Sequence, residues 1–491
     1  MIDPRHSRPL DVHRWSDHPE VNGLVDRVWE EHFRDFHARA SGPKPKLRFR
    51  DQLKVVLLDL YVAWATDPDL AVGVSLSANA WRTGSRYNAL HLSKVIVTFI
   101  HRLDEVGLID LSLGSYSGPA VKSNRSSRIR AAEPLRELFA RARFEPADID
   151  VAEGRETVIL RSGDGGGGAA KQIEYEDNET TVEMRELLED YNSCLSSHFI
   201  DLPQLDRPFV ERRIRTGPRE GEVQRIPVGP TNAFVRRVFS RGDWSLNGRF
   251  YGGWWQQIDK ETRSTILIDD VPSVEVDFRG LHVAILSKEK GVPLTDDPYL
   301  LPAGLLPGVA PAEQRGFVKR LVLTAINAAG EKAAYAAFRE GYPKGSPGKA
   351  LTNQSLGTLI GAFLRKHPHL EDCLFSDQGI RLMNVDGRIA SEIVEHFTHQ
   401  WVPVLCIHDS FVVSHERTLE LIDVMRDVTA RHLGGPLAVT QDFPGLDQFM
   451  ASAGGPTEAA YRAIRSLPER SRGYIHRRDR FFEKMGRGDH R

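Results

Sequence analysis

The sequence contains few cysteines and has no long apolar run. Its 491 residues include three cysteines, Cys194, Cys373 and Cys406, and none belongs to a C-x-x-C pair. This argues against a disulfide framework and against a cysteine-based structural zinc site. No apolar run approaches the roughly 20 residues that cross a bilayer, and the first residues lack the apolar segment of a signal peptide. We therefore expect a cytoplasmic protein with no membrane partner.

Neither sign of charge dominates the chain. The formal net charge is −2, and 41% of the residues are hydrophobic, which is ordinary for a globular protein. Two local blocks, 119–143 and 461–491, are rich in arginine. Such blocks suit a phosphate backbone, and each by itself is equally well explained as a solvated surface.

Composition and periodicity divide the chain into five regions. A polar segment, 1–45, ends in a linker that contains proline and glycine. Helical patterns and a hairpin pattern follow in 46–145, and 146–235 combines a glycine-containing hairpin with an amphipathic helix. Residues 236–450 form one α+β region, and 451–491 form a basic C-terminal tail.

The region 46–145 has the pattern of a winged helix-turn-helix module. Apolar residues repeat at helical spacing over 93–106, and two strand-like segments then flank a basic loop rich in glycine and serine. This arrangement binds nucleic acid in many proteins and serves as a protein-docking module in others. If it binds nucleic acid, the candidate contacts are Lys94, Arg125 and Arg128.

Two aspartates stand where strand-like segments end. Asp277 follows the alternating Val274 and Val276 and precedes a helical pattern, so it is either a ligand that points into a cleft or the N-cap of that helix. Asp409 lies between two apolar runs, in the pattern of a buried hairpin with polar residues at its bend. A lone carboxylate in so apolar a hairpin is costly unless it is paired or bound to a metal.

Cations and aromatics accompany these aspartates in a fixed order along the chain. Arg249 and Tyr251 follow a glycine and could touch a nucleic-acid backbone and stack on a base. Arg315 and Lys319 are four residues apart, hence on one helix face. A triphosphate between them would reverse their mutual repulsion, although solvated surface cations are the common case.

Together these residues predict two-metal phosphoryl transfer. Two Mg²⁺ ions, with Mn²⁺ as an alternative, would be held by Asp277 and Asp409, with substrate phosphates completing the coordination. The protein would then contribute positioning and charge neutralisation more than covalent chemistry.

The ordered set resembles the palm and fingers of the single-subunit RNA polymerases of phages and mitochondria and of family A DNA polymerases. The similarity covers about residues 235–450 and includes Gly248-Arg249-Phe250-Tyr251, Asp277, Arg315-x-x-x-Lys319 and His408-Asp409-Ser410-Phe411. The resemblance implies a right-hand polymerase core of the α+β class, acting on a DNA template, or an RNA template, with nucleoside triphosphates. It implies that Arg315 and Lys319 grip the triphosphate, that His408 contacts the primer or transcript end, and that Arg249 contacts the template or hybrid backbone.

Two departures limit this resemblance. Asn327-Ala328 stands where the family has Tyr-Gly, which puts the usual base-pair platform in doubt, and His282 stands where the DNA polymerases carry a ribose-excluding Glu. His282 and Asn327 are therefore candidate nucleotide contacts that leave the choice of sugar open. Two alternatives remain: a DNA-binding replication initiator or regulator with a degenerate polymerase-like domain, and a metal-dependent nuclease.

Overall fold

A computed structural model describes residues 2–3, 6–36, 45–115, 126–163, 170–217, 220–451, 461, 465 and 467–486. The chain is a mixed α+β protein that divides into two compact units. The first unit comprises Met1–Arg185 with Pro227–Phe234, and the second comprises Glu186–Ile226 with Val235–Arg491. Among the described residues, no helix is both long enough and apolar enough to span a membrane.

The first unit is built from short strands and five helices within its described part, the last of which continues into the second unit. The strands are β1 (Ser7–Pro9), β2 (Arg14–Trp15), β3 (Ala71–Val74), β4 (Ile109–Ser112), β5 (Ser127–Ala131), β6 (Asp150–Val151) and β7 (Val158–Leu160). The helices are α1 (Pro19–His32), α2 (Phe49–Thr66), α3 (Val95–Glu105), α4 (Glu133–Arg141) and α5 (Glu179–Ser196).

Helix α2 forms the centre of the first unit, because its apolar residues are buried on nearly every side. The N-terminal segment belongs to this unit. Strand β1 pairs with β3 in parallel, and β2 pairs with β6. Asp59 of α2 is fully buried and binds both Arg8 and Arg14, so two arginines of the segment anchor it to the central helix.

The helix and hairpin expected over 93–131 are confirmed. Helix α3 buries Ile96, Phe99, Ile100 and Leu103 on one face, and β4 pairs antiparallel with β5. Strand β3 adds a third strand on the other side of β5. Most of the basic loop between β4 and β5, including Arg125, lies outside the described residues.

Two further local predictions are confirmed. The amphipathic helix expected over 180–197 is α5. The glycine-containing hairpin is closed by an antiparallel bridge between Arg161 and Gln172, whereas its glycine run lies outside the described residues.

The second unit has its own strands and helices. The strands are β8 (Ile200–Asp201), β9 (Phe209–Arg213), β10 (Val223–Pro227), β11 (Arg236–Ser240), β12 (Asp243–Tyr251), β13 (Leu267–Ile268), β14 (Val271–Phe278), β15 (Leu405–Ile407), β16 (Ser410–Ser414) and β17 (Val439–Gln441). The helices are α6 (Lys260–Arg263), α7 (Leu281–Glu289), α8 (Pro311–Asn327), α9 (Glu331–Glu340), α10 (Pro347–Ala350), α11 (Asn353–Lys366), α12 (Gly379–His399), α13 (Thr418–Leu433), α14 (Leu446–Ala451) and α15 (Arg472–Lys484).

An antiparallel sheet organises the second unit. Its strand order is β15-β16-β14-β13-β8, and β17 also pairs with β14. Strand β14 is therefore central, and its apolar residues Val274 and Val276 are buried. Because side chains alternate along a strand, Glu275 and Asp277 point to the opposite face from these valines.

Helix α12 packs on the hairpin of β11 and β12 at unusually short range. A Cβ added to Gly387 of α12 would lie 2.6 Å from the carbonyl oxygen of Gly248 in β12. The side chain of Asn384 donates to the carbonyl oxygen of Trp244 at 3.0 Å, one helical turn away. Glycine at 387 thus allows the two backbones to approach.

The C-terminal arginines are bound inside the second unit. Arg477 of α15 pairs with the buried Asp201 at 2.7 Å, and Arg470 and Arg478 pair with Asp270. Arg465 is buried and donates to the carbonyl oxygen of Ser273 in β14. The sequence predicts that the basic tail either binds phosphate or is solvated. The structure instead shows each of these four arginines bound to a carboxylate or a carbonyl oxygen of the protein.

Candidate active site

The sheet brings Asp277 and Asp409 together although 132 positions separate them. Asp277 lies opposite Ser410 in the register of β14 and β16. The backbone N–H of Phe278 donates to the carbonyl oxygen of Asp409 at 3.1 Å, so the two aspartates are adjacent across the strand pair. The hairpin expected around Asp409 is confirmed, because Ile407 pairs with Ser410 and leaves His408 and Asp409 as its two-residue bend.

The alternative interpretation of Asp277 as a helix cap is wrong. The N-cap of α7 is Gly280, which adopts a left-handed conformation with φ 61°, and no side chain caps this helix. The Oδ1 atom of Asp277 is buried and has no hydrogen-bond partner. An uncompensated buried carboxylate oxygen is costly, so this atom needs a cation or a proton.

The surroundings of Asp277 favour its protonated form in the absence of a metal. Burial, and then the negative charge of Asp409, raise the pKa of Asp277 from 3.8 to about 7. The positive charge of Lys319 opposes this effect, which places that lysine within electrostatic reach of the carboxylate. Two carboxylates that share a site cannot both ionise at ordinary cost, and a divalent cation removes that cost.

Glu275, a second carboxylate on β14, holds the hairpin of β15 and β16 in place. Glu275 pairs with Arg263 through two hydrogen bonds, of 3.0 and 3.1 Å. Its Oε1 also accepts a hydrogen bond from the hydroxyl of Ser410 at 2.8 Å. Glu275 is thereby paired with a cation and ties β16 to β14 beside the two aspartates.

His408 occupies a strained position at the bend of the hairpin. Its φ is 55°, in the left-handed region that costs a non-glycine residue about 1 to 2 kcal/mol. Its ring lies 5.3 Å from that of Tyr251, and its Nδ1 is buried without a partner. Burial and the nearby charge of Arg249 lower the pKa of His408, so the neutral imidazole is favoured. Backbone strain of this kind is concentrated at functional sites.

Helix α8 presents the predicted pair of cations. Arg315 donates to Asp297 at 2.5 Å through its Nε atom, while Lys319 lines an open groove of about 750 Å³. The walls of this groove also include Arg320 and Asn327 of α8 and Tyr342, which follows α9. Asn327 is exposed at the C-terminal end of α8, so the departure from the family motif lies in this groove.

Arg249 and His282 lie together in a buried ionic cluster. Arg249 of β12 binds both carboxylate oxygens of Asp386 in α12 and lies 3.0 Å from Nε2 of His282 in α7. The charge of Asp409 also acts on Arg249. The structure therefore groups Arg249, Tyr251, His282 and His408 near the two aspartates.

The predicted nucleic-acid residues of the first unit are placed as follows. Lys94 is exposed and precedes the first residue of α3. Arg128 lies on β5, where its side chain donates to the hydroxyl of Ser7 at 2.9 Å and to the carbonyl oxygen of Ser126. Arg125 lies outside the described residues.

The donor set of the candidate site fits Mg²⁺. Among the described residues, no cluster of three or more His, Cys, Asp or Glu side chains has the arrangement of a metal site. Mg²⁺ is commonly held by one or two carboxylates, with water and phosphate oxygens completing its shell. The two aspartates and the unpartnered oxygen of Asp277 meet this pattern without a third protein ligand.

Several residues of the site were not predicted from the sequence. Asp386 and Asp297 bind the two predicted arginines, Arg249 and Arg315, from positions 137 and 18 residues away along the chain. Tyr299 lies against Gly280, and its burial, followed by the charges of Asp409 and Asp297, raises the pKa of its hydroxyl. Asp297 and Asp386 could have been named as candidate partners, because each predicted arginine needs a carboxylate to neutralise it. No sequence signal points to Tyr299.

Comparisons with known proteins bring no further assignment. No protein-family model matches the chain, and no curated protein matches it at a significant level.

Proposed function

We propose that the protein is a template-directed nucleotidyl polymerase. The observation that carries this proposal is the proximity of Asp277 at the end of β14 to Asp409 at the bend before β16, with a buried oxygen of Asp277 left without a partner. A carboxylate pair of this kind, within electrostatic reach of Lys319, suits the binding of divalent cations and a triphosphate. The resemblance of the motif order to single-subunit RNA polymerases and family A DNA polymerases supports the same activity.

Each predicted residue has a role in this proposal. Asp277 and Asp409 would hold Mg²⁺, which would supply neutralisation of the phosphates and a lower pKa for the attacking hydroxyl. Arg315 and Lys319 bind the triphosphate, and Asn327 and His282 lie at the nucleotide. His408, Arg249 and Tyr251 contact the strand that ends at the site. In the reaction, the 3′-oxygen of that strand bonds to the α-phosphorus and gives its proton to solvent water, while the bond from that phosphorus to pyrophosphate breaks.

We further propose that the first unit carries a winged helix-turn-helix module that binds DNA. The exposed residues of α3 and its N-cap include Lys94, His101 and Arg102 as well as Asp104 and Glu105, and a hairpin follows the helix. Lysine and arginine side chains such as Lys94 and Arg102 suit phosphate contacts. Lys94→Glu should therefore weaken DNA binding and reduce its dependence on salt concentration, whereas Glu105→Lys on the same helix should not weaken it.

The proposal of polymerase activity is tested by extension of a primed DNA template. Purified protein is incubated with Mg²⁺ and with either NTPs or dNTPs, and the products are resolved by length. Asp409→Asn should abolish extension, because it removes a metal ligand while retaining the shape of the side chain. Asp423→Asn is the matched control, since Asp423 is an exposed carboxylate on α13.

The outcomes separate the three candidate activities. Elongated products that depend on template sequence and on Asp409 support a polymerase. Shortened strands that require Mg²⁺ and Asp409 indicate a nuclease. Tight DNA binding that is indifferent to Asp277 and Asp409, with no change in strand length for any primed or unprimed template, supports the non-catalytic initiator instead.

A further inference from the structure

A buried ion pair joins helix α12 to the Gly-Arg element of β12. Asp386 accepts hydrogen bonds from Nε of Arg249 at 2.9 and 2.8 Å, and its Oδ2 also binds Nη2. The side chain of Asp386 is 1% exposed and that of Arg249 is 13% exposed. A bidentate contact of this kind fixes the plane of the guanidinium as well as its position.

The backbone around Arg249 is shaped to present this side chain to Asp386. Asn247 and Gly248 have φ angles of 65° and 89°, and the pairing of β11 with β12 shifts register beside them. Such a bulge re-aims the side chain that follows it. The buried Arg237 donates to the carbonyl oxygen of Gly248 at 2.8 Å, and Gly387 lets α12 approach the same carbonyl.

The paired guanidinium extends to the candidate active site. Arg249 and Tyr251 are two residues apart on β12, hence on the same face, and the Tyr251 ring contacts that of His408. Nη2 of Arg249 also lies 3.0 Å from Nε2 of His282. The same Nε2 lies 3.2 Å from Oδ2 of Asp386, so Arg249, His282 and Asp386 form one polar cluster. The carboxylate of Asp386 thus contacts both the arginine and the histidine of this cluster.

A buried pair is not explained by stability alone. Taking both charges out of water costs several kcal/mol, and apolar residues of similar volume usually stabilise a fold at least as well. Retention of the pair beside Asp409 therefore suggests that a fixed guanidinium is needed there. The cation offers hydrogen-bond donors to a polyanionic strand whose end lies at the carboxylates.

We propose that Asp386 is a positioning residue for the proposed transfer reaction, and that it acts by holding Arg249 in place to bind the end of the primed strand. This inference rests on the proposed polymerase function. It assigns to α12 a role that acts through Arg249, with no contact between Asp386 and the substrate.

The test compares Asp386→Asn and Arg249→Lys, separately and together, in steady-state extension and in anisotropy titrations of a fluorescent primed template. Each single variant should raise the KM and the Kd for the primed template by about 10- to 100-fold, the usual loss when an orienting partner is removed. The KM for the nucleotide should change little, because the triphosphate is bound by α8. The double variant should lose no more than the worse single variant, because both substitutions disable one unit.

Glu392→Gln is the matched control. Glu392 also lies on α12 and binds an arginine, Arg431, at 2.7 Å, together with His432. If Asp386 serves the fold only, Asp386→Asn and Glu392→Gln will both lower the midpoint of thermal unfolding, and the KM for the primed template will stay at the wild-type value in each. That result would overturn the inference, as would independent, multiplying losses in the double variant.

The role of Asp386 can be tested even if one of the variants does not fold. If Asp386→Asn does not fold, Arg249→Lys keeps the buried carboxylate paired and still removes the bidentate contact, so it must weaken template binding by itself. Wild-type affinity in that variant would refute the inference. Absence of extension by the wild-type protein would instead contradict the proposed polymerase function, which keeps the two failures distinct.

Discussion

Replacement of Asp277 by Asn should stabilise the metal-free protein while abolishing its proposed activity. The substitution keeps the shape of the side chain but removes the negative charge that the site holds beside Asp409. Because one oxygen of Asp277 is buried without a partner, the wild-type protein retains this charge at an energetic cost. A residue kept at such a cost is expected where function requires it.

The magnitude follows from the pKa of Asp277. Burial and the charge of Asp409 raise this pKa from 3.8 to about 7, and each factor of ten in the acid constant corresponds to about 1.4 kcal/mol. The ionised form therefore costs the folded state about 4 kcal/mol as an upper limit. The buried amide of Asn would cost about 1 to 3 kcal/mol in turn, which leaves a net gain of about 1 to 3 kcal/mol.

The sign of the pH dependence is fixed by the same values. Between pH 4 and 7 the folded wild-type protein binds a proton on Asp277 that the unfolded chain has lost, so its stability falls as pH rises. Above pH 7 both states are ionised and this loss is complete. Near pH 4 Asp277→Asn should therefore be less stable than wild type by the amide cost of about 1 to 3 kcal/mol. The difference should change sign as pH rises and level off above pH 7, with the variant then the more stable protein.

Thermal unfolding in a metal chelator, measured from pH 4 to 9 on both proteins, provides the assay. Addition of Mg²⁺ at about 100 times its Kd should then stabilise the wild-type protein by about 2.7 kcal/mol at pH 8, and leave Asp277→Asn unchanged. A variant that is less stable than wild type at every pH, or equally stabilised by Mg²⁺, would refute the assignment of Asp277 as a metal ligand. Asp423→Asn, at an exposed carboxylate, should show neither effect.

Three other predictions follow from single contacts. Lys319→Met should lower kcat in primer extension with little change in unfolding temperature. It should also raise the pKa of Asp277 further, because the positive charge of Lys319 opposes that rise, and the pH dependence of unfolding measures this change. Gly387→Ala should destabilise the protein by about 1 to 3 kcal/mol in denaturant titrations, since its Cβ would lie 2.6 Å from the carbonyl oxygen of Gly248. Gly361→Ala in α11, whose Cβ would have ordinary contacts, should be neutral or stabilising. Equal effects of the two substitutions would contradict the reasoning. Arg477→Ala should cost about 3 to 5 kcal/mol because it leaves the buried Asp201 without its partner, whereas Arg478→Ala, at a more exposed pair, should cost less than about 1 kcal/mol.

The local elements of the candidate site could be predicted from the sequence. Alternating valines predicted the strand that ends near Asp277, and two apolar runs predicted the hairpin whose bend holds His408 and Asp409. Helical spacing placed Arg315 and Lys319 on one face of α8. In each case the pattern lies within a dozen residues, where the periodicity of burial directly reflects secondary structure.

The partners of these residues could not be predicted in the same way. Asp386 lies 137 positions from Arg249 in an amphipathic helix, where an aspartate is usually solvated. Its burial depends on the close approach of α12 to β12, which in turn depends on Gly387 and on a bulge at Gly248. The C-terminal arginines mislead for the same reason, since their counterions lie hundreds of positions earlier. Tertiary proximity decides the meaning of each of these charges.

The contact between α15 and the sheet also has a consequence for synthesis of the protein. Asp201 and Arg477 are 276 positions apart, so the ribosome completes β8 long before it makes the helix that neutralises this strand. At about 5 to 20 residues per second, the interval is on the order of tens of seconds. During that time the carboxylate of Asp201 lacks its partner Arg477, and strand β8 at the edge of the sheet lacks its contact with α15. The second unit can therefore form this ion pair only after α15 has been translated, and we expect nascent chains that stop before Arg477 to be less stable than the full chain.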